Sequence, residues 1–505
     1  MKRSSLLFIA IISVGFLLRV WNLQHVPSGF FADEASIGYN AYTILTKGTD
    51  QYNIRFPVFF RSLDDYKAPI AIYSTVPFIE VFGLTEFSTR LPSAFYGLLT
   101  ILFVFFIGKE LGGNRLGLWS ALAASTMPWL IHYDRVAFLV NVSATFFTAT
   151  IYFFVKSIKE KQYLIPFFIT SALTLYTYQP PKLLMPMLMV GLFLLFPQTF
   201  LKRKKQSLIG LSLFLLMSLP LFFSFSTPAG MSRFNSISIF TSEEKGIGLL
   251  QQSFSQYIEQ FSPKYLFVTG ERSFIKRHLT DGFTPLLPIT LPFICIGIFM
   301  VFKHVRSPLS RILILWLLLY PISAALVRES PFSNRCIIGP PAFALLIGLG
   351  ITTLVQLVKK KWIRLFFIII VTGAISINTL LFTRFYFLTY PLISSDFFGW
   401  QYGPREIMQY FLAHTDEYDE LYMSGEFNGG EAFITFYDPT NTCEGKCKIG
   451  DFMREPSIFF PNRKQLFSLS PEYLSLTPLG KRFLVKKTIY YPNGTVAFKI
   501  GVIVQ

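Results

Sequence analysis

Through Arg384 the chain alternates long apolar runs with short polar intervals, and the runs begin near Ser5, Pro69, Arg90, Leu116, Ala137, Tyr163, Pro181, Ser207, Thr284, Ile312, Ile337 and Leu365. A helix needs roughly 20 mostly apolar residues to cross a hydrocarbon core about 30 Å thick, so the pattern predicts a bundle of membrane-spanning helices. The Pro69 to Leu84 run is the exception. It is short and carries Pro77 and Glu80, and is expected to lie on the outer surface or to re-enter.

The basic clusters set the expected threading. Lys2-Arg3 places the N-terminus in the cytoplasm. The later clusters are Lys109/Arg115, Lys156/Lys159/Lys161, Lys202 to Lys205, Lys303/Arg306/Arg311 and Lys359 to Lys361 with Arg364. If the Pro69 run spans, they all fall outside; if it does not, they all fall inside, which gives about eleven spans by the positive-inside rule. The alternative threading has that run spanning and another not. The expected outer segments are then 21–90, His132 to Val136, Tyr176 to Lys182, 226–283, Arg328 to Arg335 and everything beyond Arg384. The N-terminus resembles a signal peptide, but no small-residue cleavage site follows Val20, so an uncleaved first helix is expected.

Composition fits the pattern. Of 505 residues 52% are hydrophobic and 15% charged, against about 25% charged in soluble domains, and the mean hydropathy is +0.47. The net charge of +17 lies largely in the short clusters between runs, which reads as membrane topology and not as a nucleic-acid footprint. The expectation is an integral, multi-pass protein with a helical membrane module over 1–384 and a small extracytoplasmic α/β domain over 385–505. In that domain Arg405 to Leu412 reads as a short helix and TIYYPNGTVAFKI as a hairpin turned at Asn493-Gly494, a pair that accepts positive φ. Cys443 and Cys447 could form a disulfide in an oxidising compartment. Cys295 and Cys336 lie in apolar runs and read as core residues; the Cys-x3-Cys pair lacks further ligands for a metal.

Acids so close to membrane runs are the candidate chemistry. Asp33-Glu34 follows the first run, Asp64-Asp65 leads directly into Tyr66-Lys67, and Asp134-Arg135 lies in HYDRVAF. Carboxylates at a low-dielectric boundary can serve as general bases, and nearby cations can hold an anionic leaving group. Solvated loop charge or helix capping is the plainer reading of each pair. Basic side chains at Arg272, Lys276, Arg277 and His278, and Arg328 and Arg335 around RESPFSNR, suit a lipid phosphate or anionic headgroups. There is no GxxxxGKS loop, Gly-x-Ser-x-Gly elbow, HExxH or CxxC, which speaks against nucleotide hydrolysis and serine- or zinc-hydrolase chemistry. No intramembrane acid–base relay is visible, which weakens a proton-coupled transporter.

The segments FFADEASIGYNAY, DDYKAPIAIY, FGLTEFSTRLPSAFYG, PWLIHYDRVAF, YTYQPPKLLMP and TGERSFIKRH resemble, in order, membrane glycosyltransferases of the C-type fold, closest to the protein O-mannosyltransferase and aminoarabinose transferase superfamily. The resemblance implies a polyprenyl-phosphate sugar donor, transfer with inversion, and an acceptor on the outer face of the membrane. It implies Asp33 as catalytic base with Glu34 beside it. Lys67 and Pro69 match the Lys/His-Pro-Pro element, and Arg90 the Arg-x-Pro element. Donor-phosphate or substrate contacts are then expected from Asp64, Asp65, Lys67, Arg90, Asp134, Arg135, Arg277, His278 and Arg335. The chain departs from the pattern at Ala68, where a Pro is common, and in SPFSNR, which lacks a His before the Arg. The acceptor, whether protein, lipid or polysaccharide, is not inherited. Asp33, Glu34, Asp64, Asp65 and Asp134 could share a hard divalent cation, or Lys67 and the arginines could hold phosphate alone; no obligatory metal is expected. The competing readings are a lipid or glycan transporter without transferase activity and a membrane scaffold presenting the C-terminal domain.

Overall fold

A computed structural model describes residues 3–62, 65–225, 246–271, 275–278, 282, 284–328, 332–450, 458–460, 462–476 and 483–504. The apolar runs are helical: α1 (Arg3–Val20), α3 (Pro69–Phe82), α4 (Glu86–Thr126), α6 (Leu139–Lys159), α7 (Leu164–Thr174), α8 (Pro181–Leu195), α9 (Lys204–Phe225), α11 (Leu291–Lys303), α12 (Pro308–Leu319), α13 (Pro340–Leu357) and α14 (Lys361–Arg384). Between them lie α2 (Ala32–Lys47), the short α5 (Pro128–Tyr133) and α10 (Ile247–Glu259). Among the described residues six helices are long and apolar enough to cross a membrane, and four shorter apolar ones accompany them. Helix α3 has 14 residues, about 21 Å at 1.5 Å per residue, short of a core about 30 Å thick.

Helix α4 organises the bundle, with α1, α6 and α13 packed on it. It joins two predicted runs, since Gly113 breaks the helical backbone at φ 84°, a conformation that favours glycine. The two arms fold close together there: a Cβ on Gly117 would stand 2.7 Å from the Phe105 carbonyl oxygen. The periphery is apolar and open. In α14 only 17% of the most apolar window is buried, and Leu365, Phe366, Ile369 and Leu380 point outward, as a lipid-facing helix requires. Cys336 is buried as expected, whereas Cys295 is exposed on α11. An apolar run does not by itself distinguish a lipid-facing position from a core one.

The bundle's apolar core continues past the expected boundary at 384 to Tyr386, Tyr390 and Trp400. Beyond them the chain forms α15 (Pro404–Leu412), α16 (Gly430–Tyr437), α17 (Pro471–Leu476) and a five-stranded mixed sheet. With β1 (Phe60–Ser62) and β2 (Asp65–Lys67) forming a separate hairpin, the sheet strands are β3 (Glu420–Ser424), β4 (Cys447–Gly450), β5 (Gln465–Leu469), β6 (Phe483–Tyr490) and β7 (Val496–Ile503), in the order β4-β3-β5-β7-β6. The β6–β7 turn has Gly494 at φ 83°, and the Asn493 side-chain oxygen accepts from the Thr495 N–H. Cys443 and Cys447 form a disulfide.

This domain is seated on the bundle. Glu86 at the start of α4 binds Arg405 and the Tyr437 hydroxyl. Phe436 packs 4.8 Å from Phe30, and Gly38 of α2 admits it: a Cβ there would lie 2.6 Å from the Phe436 ring.

Candidate active site

The outer segments expected from the sequence meet at the end of the bundle that carries the sheet domain, around the start of α2. Phe31 precedes that helix and offers no capping side chain; Glu34, one turn in, folds back and accepts the Phe31 N–H at 3.1 Å. This turns Glu34 inward. Asp33, rotated by about 100° on the helix, is left on the open side.

Glu34 is fully buried and clasped by Arg90 of α4, which donates from Nε to Oε1 at 2.8 Å and from Nη2 to Oε2 at 2.9 Å. Arg90 spends its remaining donors on the carbonyls of Leu23, Pro27 and Gly29. Its N–H groups are thereby all used. Glu34 also accepts the Ala137 N–H at 2.9 Å. The pair ties α2, the 23–29 loop, α4 and the segment before α6 into one unit.

Asp134 and Arg135 are turned inward as well. Asp134 accepts from Arg19 of α1 at 2.7 Å, and Arg19 also reaches the carbonyls of Gly15, Ala124 and Ser125. Arg135 donates to the carbonyls of Leu18, Trp21 and Val26 and lies 4.6 Å from the Phe387 ring centre. Of the residues expected to contact substrate, Glu34, Arg90, Asp134 and Arg135 are each at most 2% exposed and engaged inside the bundle. Glu34 and Asp134 are each paired with an arginine, and among the described residues no three His, Cys, Asp or Glu side chains gather.

Asp33 differs, its side chain 43% exposed, with Oδ1 2.5 Å from Lys67 Nζ. The β1–β2 hairpin places that lysine by pairing Lys67 with Phe60, and the side chain is buried. Arg277 approaches from another loop, 4.1 Å from the Phe31 ring centre and 3.4 Å from the Phe398 carbonyl. Burial pushes the Arg277 guanidinium below its ordinary value, and the charge of Asp33 offsets part of that shift. Lys276, next to it, is paired with Asp396. The result is an accessible carboxylate beside two cations at the rim of a buried framework.

His278 and Arg335 both lie against Phe332. His278 lies 3.5 Å from Glu271 and 5.1 Å from the Phe332 ring, and Arg335 stands 5.9 Å from Phe332 and 5.4 Å from Tyr178. Glu271 also accepts from Ser333, which meets Tyr133 at 2.7 Å. Asp64 and Arg272 lie outside the described residues, and Asp65 is placed only as the residue of β2 opposite Ser62. Sequence reading missed Arg19 and Glu271. An arginine inside an apolar run was the signal for the first, because such a charge requires a buried partner; Glu271 had no signal beyond its place in TGERSFIKRH.

Residues 66–223 match the family described as dolichyl-phosphate-mannose-protein mannosyltransferase. No curated protein matches the sequence significantly. Among solved structures the fold is similar to ArnT from Cupriavidus metallidurans in the apo state, at 14% identity and a TM-score of 0.58, covering 98% of this chain and 97% of that one. The same enzyme bound to undecaprenyl phosphate gives 14% identity and a TM-score of 0.55 over 99% and 98% of the two chains. The oligosaccharyltransferase AglB from Archaeoglobus fulgidus, in complex with an inhibitory peptide and a dolichol-phosphate, gives 12% and 0.54 over 100% of this chain and 74% of that one. The chain shares the fold of these proteins, and the likeness runs over nearly its whole length, the C-terminal sheet domain included.

Proposed function

We propose that this protein is an inverting glycosyltransferase that moves a sugar from a polyprenyl-phosphate donor to a hydroxyl acceptor at the Asp33 end of the bundle, which faces the outside of the cell. The observation that carries the reading is the half-exposed Asp33 carboxylate, which is paired with Lys67 and whose charge also acts on Arg277. As the acceptor oxygen bonds to the anomeric carbon, Asp33 takes its proton; the bond from that carbon to the phosphate oxygen breaks, and polyprenyl phosphate leaves with the electron pair. Lys67 and Arg277 neutralise the phosphate, with His278 and Arg335 completing its surroundings. A positioned base contributes roughly 10²–10⁴ in rate, and cations aimed at developing charge lower the barrier further. The Glu34–Arg90 and Asp134–Arg19 pairs act by holding the helices that present these groups.

The undecaprenyl phosphate of ArnT and the dolichol-phosphate of AglB support a lipid-phosphate donor here. The test is to incubate purified protein with labelled polyprenyl-phosphate hexose and a mixed pool of peptide, glycolipid and oligosaccharide acceptors. Label on one acceptor class with inverted anomeric configuration supports the reading. Movement of intact donor across a vesicle membrane with no transfer overturns it in favour of a transporter.

A further inference from the structure

One cleft next to Asp33 is built by both halves of the molecule. It encloses about 180 Å³ and lies between the outer edge of α2 and the sheet domain. Ser36 and Tyr39 line it from α2, Gln51 and Tyr52 from the following loop, Ser62 from the end of β1, and Glu431 and Thr435 from α16. Ser36 is one helical turn beyond Asp33. Side chains three apart on a helix have Cβ atoms about 5–6 Å from each other, so a molecule seated in the cleft has its near end within reach of the Asp33 carboxylate.

We propose that this cleft is the acceptor subsite and that it takes a neutral, hydroxyl-rich acceptor, a saccharide. The inference rests on the transferase reading and names its acceptor. The walls combine two phenol rings with hydroxyl, amide and carboxylate groups, and a pyranose presents the complement: C–H faces that lie against aromatic rings and a rim of hydroxyls that donate and accept. The size agrees, since about 180 Å³ is below the roughly 300–1,000 Å³ of pockets for drug-sized ligands and suits a single sugar ring. The charge agrees as well: no Lys or Arg lines the cleft among the described residues, Glu431 contributes a carboxylate, and the nearby Arg61 guanidinium is turned onto the Tyr52 ring, so nothing in the lining favours a phosphorylated acceptor.

The walls are held in place for this task. The Ser36 and Ser62 hydroxyls are hydrogen-bonded at 2.9 Å, and the Gln51 N–H is held by the Asn40 side chain at 3.1 Å. The Arg61 guanidinium lies 4.9 Å from the Tyr52 ring centre and steadies a side chain that is 43% exposed. Helix α16 packs on α2 through Phe436 at Gly38, and its last residue, Tyr437, is bonded to Glu86 at the start of α4. The sheet domain thereby supplies one wall of the acceptor subsite.

The test uses the full chain in lipid nanodiscs with labelled polyprenyl-phosphate hexose, and compares wild type with Tyr52→Ala and Thr435→Trp. The acceptors are neutral oligosaccharides, a Ser/Thr-rich peptide and a phosphorylated glycolipid. Donor binding is followed separately with a photo-crosslinking polyprenyl phosphate. The expected result is transfer to the oligosaccharides, with the acceptor KM raised about tenfold or more in each variant, by lost contacts in Tyr52→Ala and by filled space in Thr435→Trp, and donor crosslinking unchanged. Tyr52 is exposed, so its truncation keeps the test valid if Thr435→Trp fails to fold. Transfer to the peptide or the phosphorylated glycolipid, with a KM unmoved in both variants, overturns the saccharide cleft and leaves the transferase standing. Absence of both crosslinking and transfer to any acceptor overturns the transferase reading itself.

Discussion

Replacing Arg90 by Met, which keeps the length and apolar stem of the side chain, separates a structural clasp from a phosphate contact. In the folded protein this removes both bonds to Glu34 and the bonds to the Leu23, Pro27 and Gly29 carbonyls. Glu34 is then a fully buried carboxylate with only the Phe31 and Ala137 N–H groups. Removing one partner of a buried ion pair costs about 3–5 kcal/mol, because the surviving charge stays desolvated. Each carbonyl left without a donor adds up to about 1–3 kcal/mol, reduced where the loop can relax towards water. Against a total stability of about 5–15 kcal/mol, the sum is a large fraction of what holds the fold. Chemical unfolding in nanodiscs should show a loss of at least about 3 kcal/mol, with new protease sensitivity in the 21–31 segment. The double variant Glu34→Gln/Arg90→Met should recover part of the loss, because it removes the orphaned charge. If Arg90→Met costs less than about 1 kcal/mol while donor affinity falls, the guanidinium is a substrate contact and the clasp is not what holds the site.

Three further outcomes follow from the same geometry. Lys67→Ala should lower transfer efficiency ten- to hundredfold through donor use, from roughly 1.5–3 kcal/mol for a charge-assisted phosphate contact, and unchanged donor kinetics in steady-state assays would remove it from the site. Burial pushes Glu420 up, but bonds from Lys448, Gln465 and Tyr422 outweigh it and hold the carboxyl at about 2, below the usual 4.5, so its stabilisation is full above pH 4.5 and is lost as pH falls towards 2; the stability gap between wild type and Glu420→Gln in acid titration should be level above that range and close within it. Cysteine at Tyr52 should react with a membrane-impermeant maleimide on intact cells and cysteine at Lys202 should not, since α6 carries the chain from the Asp33 end at Leu139 to Lys159, whose carbonyl Arg203 reaches; the reverse labelling would invert the proposed orientation.

The elements that local pattern defines were legible in the sequence: the apolar runs, the Asn493-Gly494 turn and the helix before β3. Helix α2 was not, because its buried side includes Ser36, Gly38, Asn40 and Thr43 as well as apolar residues, so no continuous apolar stripe marks it. Without that helix the different facing of Asp33 and Glu34 cannot be read, since the roughly 100° between them, and which of the two turns inward, follow from where the helix begins and packs. The acids and bases were visible as types, but their partners lie far along the chain: Glu34 and Arg90 are 56 residues apart, Arg19 and Asp134 are 115 apart. Spacing alone could not tell these interior locks from substrate contacts. Lys67 was readable as a neighbour of the acidic pair 64–65, yet it is Asp33 that it meets, because the hairpin folds it back onto α2.

The central claim is that Asp33 carries the proton in the transfer step. It is tested most directly by a single-turnover measurement on Asp33→Asn, with labelled polyprenyl-phosphate hexose bound before a saturating acceptor is added. The account predicts donor crosslinking and thermal stability close to wild type, because Asp33 lies outside the buried clasp, and a transfer rate down by roughly 10²–10⁴. A rate within a few-fold of wild type, with donor bound and the fold intact, would contradict it.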